Sequence, residues 1–203
     1  MFSGIVQNLG KVNSLVNEVT GISITISADK EFKLDLKIGD SVAVNGVCLT
    51  VSKLSETTIN FDVIHQTLRE TTLKNITEGC KVNLERSLKY GGEIGGHLLS
   101  GHISGLARVN LKKIKGETEL VVYKDTLWNK YIFNKGYIGI NGASLTIAKN
   151  EENTFSVYLI PETIRATNFL DQGDSFEVNI EIDAQTLAIV ETTEEILQRR
   201  RLT

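Results

Sequence analysis

Residues 44–51 read VNGVCLTV and residues 140–147 read INGASLTI, and no other feature of this chain restricts its fold as strongly. A sequence that writes one segment twice at a fixed offset builds one structural unit twice. The offset is 96, and it holds without a gap from Val44 to Glu85. Asn45-Gly46 faces Asn141-Gly142, and Phe61 and Val63 face Val157 and Leu159. Thr67, Arg69 and Thr71 face Thr163, Arg165 and Thr167, while Val82-Asn83-Leu84-Glu85 faces Val178-Asn179-Ile180-Glu181. Nearer the start of each copy the match moves to an offset of 101, Phe2-Ser3-Gly4-Ile5-Val6 against Ile103-Ser104-Gly105-Leu106-Ala107, which predicts five extra residues in the first copy.

Each copy reads as β structure. Ile59–Val63 and Phe155–Leu159 alternate apolar and polar residues, the period of a half-buried strand. The two Asn-Gly pairs are hairpin turn signals, because both central positions of a tight hairpin turn require positive φ. Seventeen Gly against a single Pro, Pro161, suits many short paired strands, where proline would remove a ladder donor. Strands recurring every 8–12 residues point to a sandwich or a small closed barrel. Short helical pieces are predicted near 66–71, in its repeat near 162–167, and over 124–134. From Ala184 to Leu202 the chain lacks Gly and Pro, and heptad-spaced Ile189–Ile196 and Val190–Leu197 predict a helix with one apolar seam. That helix either packs on its own barrels or joins copies of the chain.

Composition narrows the function classes. A net charge of −3 with basic residues clustered only at the C-terminus argues against nucleic acid as a partner. The apolar runs are too short to span a bilayer, and the first residues lack the cationic and apolar regions of a signal peptide. Cys48 and Cys80 form no CxxC pair and no disulfide framework, so a reduced cytoplasmic setting is expected. His97 and His102, five apart with no third ligand motif, argue against a metal.

Six blocks in order carry a family resemblance: MFSGIV, NGVCLTV, ERSLKYGGEIGGHLLSGHI at 85–103, KGYIGINGASLTI at 135–147, LIPET at 159–163 and VNIEID at 178–183. Together they resemble riboflavin synthase of the α-chain type, from Met1 to about Asp183. The resemblance implies a mainly β protein of two tandem Greek-key six-stranded barrels, residues 1–96 and 97–184, followed by a C-terminal oligomerisation helix at 185–203. It implies a homotrimer that dismutates two molecules of 6,7-dimethyl-8-ribityllumazine. A four-carbon unit passes between them, giving riboflavin and 5-amino-6-(ribitylamino)uracil, with no metal or redox cofactor. It also leaves room for an association with lumazine synthase. Two copies of one pocket then serve two copies of one substrate, replacing an encounter by a fixed juxtaposition.

The resemblance also assigns residues. Cys48, Thr50, Ser144 and Thr146 line the two pockets, where thiol and hydroxyls hydrogen-bond the pteridine or polarise water. Cys48 and Ser144 hold equivalent places, and that difference suits unlike donor and acceptor roles. Read without the family, Cys48 is a small buried hydrophobe. His102 moves protons with Ser41 nearby, and Asp183 orients a partner; alternatively, Asp183 caps a helix at Ala184. Main-chain recognition is expected along Gly4, Ile5 and Val6, at Leu49, along Asp62, Val63, Ile64, His65, Gln66 and Thr67, and at Gly101 and Ile103. In the second copy it is expected at Leu145 and along Tyr158, Leu159, Ile160, Pro161, Glu162 and Thr163. Thr67 and Thr163 are expected to cap short helices. Lys135 is expected to touch the lumazine of the second barrel. Two residues depart from the family pattern: Asn141 stands where an Asp is usual and Gln66 where a Glu is usual.

The rival reading is a non-catalytic lumazine- or flavin-binding antenna protein, which shares the duplicated barrels but typically degrades the second pocket and the GGHxxSGH stretch. Both are intact here. A flavin reductase barrel would need a nucleotide-binding αβ domain, and the chain has no GxGxxG.

Overall fold

A computed structural model describes residues 1–114 and 116–201. Two closed six-stranded antiparallel barrels stand side by side. The first comprises β1 (Asn8–Glu18), β2 (Gly21–Ser27), β3 (Ser41–Val44), β4 (Val47–Leu54), β5 (Thr58–Ile64) and β6 (Lys81–Arg86), in the order β1-β2-β5-β4-β3-β6. The second comprises β7 (Gly105–Ile114), β8 (Glu117–Tyr123), β9 (Tyr137–Ile140), β10 (Ala143–Asn150), β11 (Thr154–Leu159) and β12 (Ser175–Ile182). Its order, β10-β11-β8-β7-β12-β9, is the same path written from another strand.

The alternation predicted for β5 and β11 is present. Ile59, Phe61 and Val63 turn inward, as do Phe155, Val157 and Leu159, each joining one barrel core. Both Asn-Gly turns have positive φ at both positions, 46° and 81° in the first and 45° and 81° in the second, which matches the twist of the flanking strands. Short helices follow β5 and β11 directly: α2 (His65–Glu70) and α3 (Pro161–Ala166). The helix expected over 124–134 is a single 3-10 turn at Thr126–Trp128, and a further short helix, α1 (Lys30–Lys33), closes one end of the first barrel.

The start of the repeat differs from expectation. Phe2 and Leu99 form a reciprocal antiparallel bridge, at 2.7 and 3.0 Å. Ser3 and Ser100 both donate to equivalent carboxylates, on Glu85 and Glu181. The equivalence is thus Phe2 with Leu99 and Gly4 with Gly101, an offset of 97 rather than 101. The chain offers Ser-Gly twice, at 100–101 and 104–105, and the letters favour the second while the buried carboxylate selects the first. One residue is therefore additional in the first copy, not five. It is Asn13, held in a bulge between Val12 and Ser14 that the register of β7 on β8 lacks.

The barrels meet along a pseudo-twofold lined by asparagine. Asn83 N–H donates to Asn45 Oδ1 and Asn179 N–H to Asn141 Oδ1, both at 2.8 Å. Across the axis, Asn83 Nδ2 donates to the Asn141 carbonyl at 2.9 Å and Asn179 Nδ2 to the Asn45 carbonyl at 2.8 Å. The remaining oxygens of Asn83 and Asn179 accept from Asn168 N–H and Thr72 N–H. Both side-chain polar atoms of Asn83 and Asn179 are thus paired, as burial demands, while Asn168 Oδ1 and Thr72 Oγ1 at the edge of the seam are buried without a protein partner.

Helix α4 (Ala184–Arg201) follows β12 without a break and starts one residue before the expected boundary. None of its described residues enters a core cluster, and Leu187, Ile189, Ile196 and Leu197 stay exposed. It is held to its own barrel by polar contacts, Lys130 to Glu191 at 3.0 Å and to Glu194 at 2.5 Å. Packing of its apolar seam on its own barrels is therefore not what the fold shows. No described helix is long and apolar enough to cross a membrane.

Candidate active site on the outer faces of the two barrels

Strand β4 pairs with β5 only from Val51↔Phe61 to Leu54↔Ile59, with a bulge between Val51 and Lys53. Before the bulge, residues 47–50 pair with β3 alone and residues 62–64 with β2 alone. The second barrel repeats this between β10 and β11, with its bulge between Ile147 and Lys149. A bulge that ends pairing re-aims the strand. Here it parts two strands and leaves main-chain groups on either side of a cleft, where a flat heterocycle with carbonyls and ring nitrogens can pair.

Side chains alternate at that cleft. Leu49 and Val51 turn into the first core while Cys48 and Thr50 turn outward; Leu145 and Ile147 turn inward while Ser144 and Thr146 turn outward. Register places Ser41 opposite Thr50 and Tyr137 opposite Thr146. Asp62 and Ile64 face out from β5, and Tyr158 from β11. The inward residues leave only main-chain recognition open at four of the expected positions. Leu49, Val63, Leu145 and Leu159 are core side chains at 5%, 2%, 7% and 4% exposure, so only their backbone can meet a ligand.

Two short straps complete the faces, and they cross. The strap before β1 runs to the second barrel: Ser144 N–H donates to the Gly4 carbonyl at 2.8 Å, and Val6 packs on the second core. The strap before β7 runs to the first: Cys48 N–H donates to the Gly101 carbonyl at 3.0 Å, and Ile103 packs on the first core. His102, exposed, is thereby brought beside Cys48, and Ile5 takes the corresponding place beside Ser144. The two faces thus share a frame and differ in chemistry. The first carries Cys48, His102 and Ser41; the second carries Ser144, Ile5 and Tyr137.

Sequence reasoning assigns His97 no role in the site, yet its ring belongs to the second face. Its Nδ1 lies 2.6 Å from Ser144 Oγ, and its backbone N–H donates to the same hydroxyl at 3.2 Å. The ring stacks on Tyr137, with centroids 5.2 Å apart and planes 16° from parallel. Burial holds the imidazole below its ordinary pKa, opposed by the charge of Asp183, so the neutral ring is favoured. No spacing rule could have found this contact, since 47 residues separate the partners.

Asp183 caps α4. Its carboxylate accepts from Thr186 N–H and hydroxyl at 2.8 and 2.7 Å, the capping alternative weighed from sequence. Thr67 and Thr163 do not cap α2 and α3, whose N-cap positions are Ile64 and Ile160 without side-chain bonds. Instead their carbonyls accept from Thr71 and Thr167 hydroxyls, at 2.7 and 2.6 Å. Gln66 lies exposed on α2 with His65, its Nε2 donating to Glu70 at 3.3 Å. Pro161 and Glu162 open α3, one turn beyond the cleft.

Asn141 lies away from both faces. It belongs to the asparagine seam and, with Asn45, lines a cavity of about 220 Å³ between the barrels. Its amide does what Asn45 does in the first copy, so the turn requires no carboxylate there. Lys135 is exposed, with φ of 69°. Its N–H donates to the Ile147 carbonyl as Gly39 N–H does to Val51, so a lysine occupies a left-handed position that the first copy gives to glycine. Among the described residues no cluster of His, Cys, Asp or Glu could hold a metal ion.

The lumazine binding domain family matches residues 3–87 and again 100–183. Riboflavin synthase of Chlamydia pneumoniae is 45% identical over 202 residues, 97% of each chain. That of Escherichia coli K12 is 41% identical over 204 residues, 98% of this chain and 95% of the relative. That of Bacillus subtilis 168 is 38% identical over 186 residues, 90% and 85%. Among solved structures, LumP complexed with riboflavin superposes with a TM-score of 0.83 at 27% identity, covering 90% of this chain and 99% of that one. LumP complexed with 6,7-dimethyl-8-(1'-D-ribityl) lumazine gives 0.80 at 26% over the same shares.

Proposed function

The chain belongs to the riboflavin synthase family of duplicated lumazine-binding barrels, and on that premise we propose that each of its two outer faces binds one 6,7-dimethyl-8-ribityllumazine. The chain is a riboflavin synthase, a transferase acting on two molecules of that compound. A four-carbon unit leaves one and enters the other, giving riboflavin and 5-amino-6-(ribitylamino)uracil. The two products together have the composition of the two substrates, so the transfer is balanced without an external oxidant or reductant.

The observation that carries the site assignment is the sameness of frame and difference of chemistry between the two faces. The reaction needs one lumazine attacked at C7 and another deprotonated at its C7 methyl group. Two pockets equal in shape can hold the same molecule, while the Cys48–Ser144, His102–Ile5 and Ser41–Tyr137 differences can treat the two copies unlike. His102 is the proton carrier on the first face, where an exposed imidazole can both accept and return a proton. Cys48, Thr50 and Ser41 surround that ring, and Ser144 and Thr146 with Lys135 hold the other. Asp183 acts at one remove, through His97.

Both faces lie on the outside of a single chain, so two lumazines meet only when the first face of one copy opposes the second face of another. The exposed apolar seam of α4 supports a homotrimer built around that helix. The reduced cysteines and the lack of a membrane-crossing helix among the described residues support a cytoplasmic setting. An association with lumazine synthase, which would deliver the substrate, fits the same setting.

The test is incubation of the purified protein with 6,7-dimethyl-8-ribityllumazine alone, following riboflavin absorbance and fluorescence. Catalytic formation of riboflavin is expected, with a loss of about tenfold or more in His102→Gln. The likeness to LumP raises the second reading, a lumazine carrier. Tight binding without turnover would establish it and overturn the enzyme assignment.

A further inference from the structure

Two carboxylates buried beneath the straps have no part in the reaction described above. Glu85 on β6 is 2% exposed and Glu181 on β12 is 5% exposed. Neither has a cationic partner in an ion pair among the described residues. Glu85 accepts instead from Ser3 N–H at 2.6 Å, Ser3 hydroxyl at 2.8 Å and Gly4 N–H at 3.1 Å. Glu181 repeats the pattern, accepting from Ser100 N–H at 2.6 Å, Ser100 hydroxyl at 2.7 Å and Gly101 N–H at 3.1 Å. An isolated buried carboxylate is costly unless hydrogen bonds take the place of water. Burial pushes both carboxyls above the usual range, and the strap donors push them back down.

The Gly4 carbonyl, one residue from Ser3, takes the N–H of Ser144 in the second barrel, and the Gly101 carbonyl takes the N–H of Cys48 in the first. The fit tolerates no side chain. A Cβ on Gly4 would lie 2.5 Å from Ser144 Cβ, and one on Gly101 would lie 2.5 Å from Cys48 Cβ.

We propose that Glu85 and Glu181 are crosswise positioning residues: the carboxylate of each barrel fixes the strap that sets the pocket strand of the other. Glu85, rooted in the first barrel, places Ser144; Glu181, rooted in the second, places Cys48 and, through Ser100 hydroxyl and His102 N–H at 3.1 Å, His102. Each face is then built partly by the neighbouring barrel within one chain. A barrel cut free of its twin keeps its strands and loses the anchor of its pocket. The functional consequence rests on the riboflavin synthase reading, but the geometry does not.

Amide hydrogen exchange at Cys48 and Ser144 in the intact chain tests this. In Glu181→Ala, exchange at Cys48 N–H is expected to rise about tenfold or more while Ser144 stays within about twofold of wild type. In Glu85→Ala the pattern is expected to reverse. Glu→Gln, which keeps one acceptor oxygen, is expected to restore protection partly at the same amide. Should the alanine variants fail to fold, Ser100→Ala and Ser3→Ala remove one strap bond each and give the same crossed pattern, smaller. The proposal is overturned if each variant loosens the pocket strand of its own barrel, if both amides loosen together, or if neither changes. Since exchange is read without substrate, failure here is separable from a protein that binds lumazine but makes no riboflavin. If it does make riboflavin, Glu181→Gln is expected to lower kcat more than it raises KM, because it displaces His102 rather than removing a ligand contact.

Discussion

Gly46 and Gly142 touch backbone to backbone on the pseudo-twofold axis: a Cβ on Gly46 would lie 2.6 Å from Gly142 N, and one on Gly142 2.9 Å from Gly46 N. Both residues also have φ of 81°, where L side chains are disfavoured. Two costs therefore coincide at each position. The left-handed backbone alone costs roughly 1–2 kcal/mol. Gly39 separates them, since it has φ of 94° but nothing within 4 Å of its added Cβ. Gly39→Ala is expected to cost about 1 kcal/mol in denaturant unfolding, and Gly46→Ala or Gly142→Ala about 3 kcal/mol or more. Equal losses at the three sites would mean that the barrels do not press on each other there.

Lys135 carries the opposite case, a left-handed lysine where the first copy has Gly39. Lys135→Gly is expected to raise stability by about 0.5–1 kcal/mol, or about 1–4 °C in Tm, by removing the strain. The same change is expected to weaken binding of 6,7-dimethyl-8-ribityllumazine about tenfold, because a charged donor is lost. Fluorescence titration beside a thermal melt gives both numbers. A stabler variant that binds as well as wild type would strip Lys135 of its role.

Much of this was legible in the letters. The repeat and the hairpin turns at Asn45-Gly46 and Asn141-Gly142 follow from local rules, because period and turn chemistry act between neighbours in sequence, whereas the places of Cys48, Thr50, Ser144 and Thr146 come only with the family resemblance. What the letters concealed depends on contacts between distant residues. Ser104-Gly105 looks the better partner of Ser3-Gly4 until Glu181 is seen to hold Ser100-Gly101 instead. Asn141 invites suspicion as a lost carboxylate until its oxygen is found on Asn179 N–H at 2.8 Å. His97 has no assigned role until β10 brings Ser144 to it. The crossing of the straps has no sequence signal at all, since either barrel could have received either strap.

Helix α4 supplies a third prediction. Ile189 and Ile196 are 67% and 48% exposed and one heptad apart, so they cost the single chain little when made polar. A double Ile189→Gln, Ile196→Gln variant is expected to shift monomer stability within about 0.5 kcal/mol. If the seam joins copies, sedimentation equilibrium will show the assembly lost and riboflavin formation lost with it. An intact assembly with full activity would place the interface elsewhere.

His97 predicts a pH dependence whose sign can be worked out. Burial lowers its pKa in the folded chain, and Asp183 opposes this only in part. The unfolded chain, with a histidine near 6.5, then binds more protons than the folded one as pH falls through that value. Stability from this group is complete above about pH 6.5 and declines as pH falls below it, until the folded pKa is passed. Glu85 and Glu181, raised by burial, work in the other direction at lower pH: acidification relieves the cost of their buried charge. Wild type alone would mix these effects, so the comparison is with His97→Phe, which keeps a ring to stack on Tyr137 but cannot titrate. The difference in Tm between the two proteins is expected to shrink steadily from pH 7 to pH 5, as wild type loses what the variant never had. A difference that stays constant over that range would mean that His97 titrates alike in the folded and unfolded chain, and the neutral imidazole on Ser144 would have to be given up.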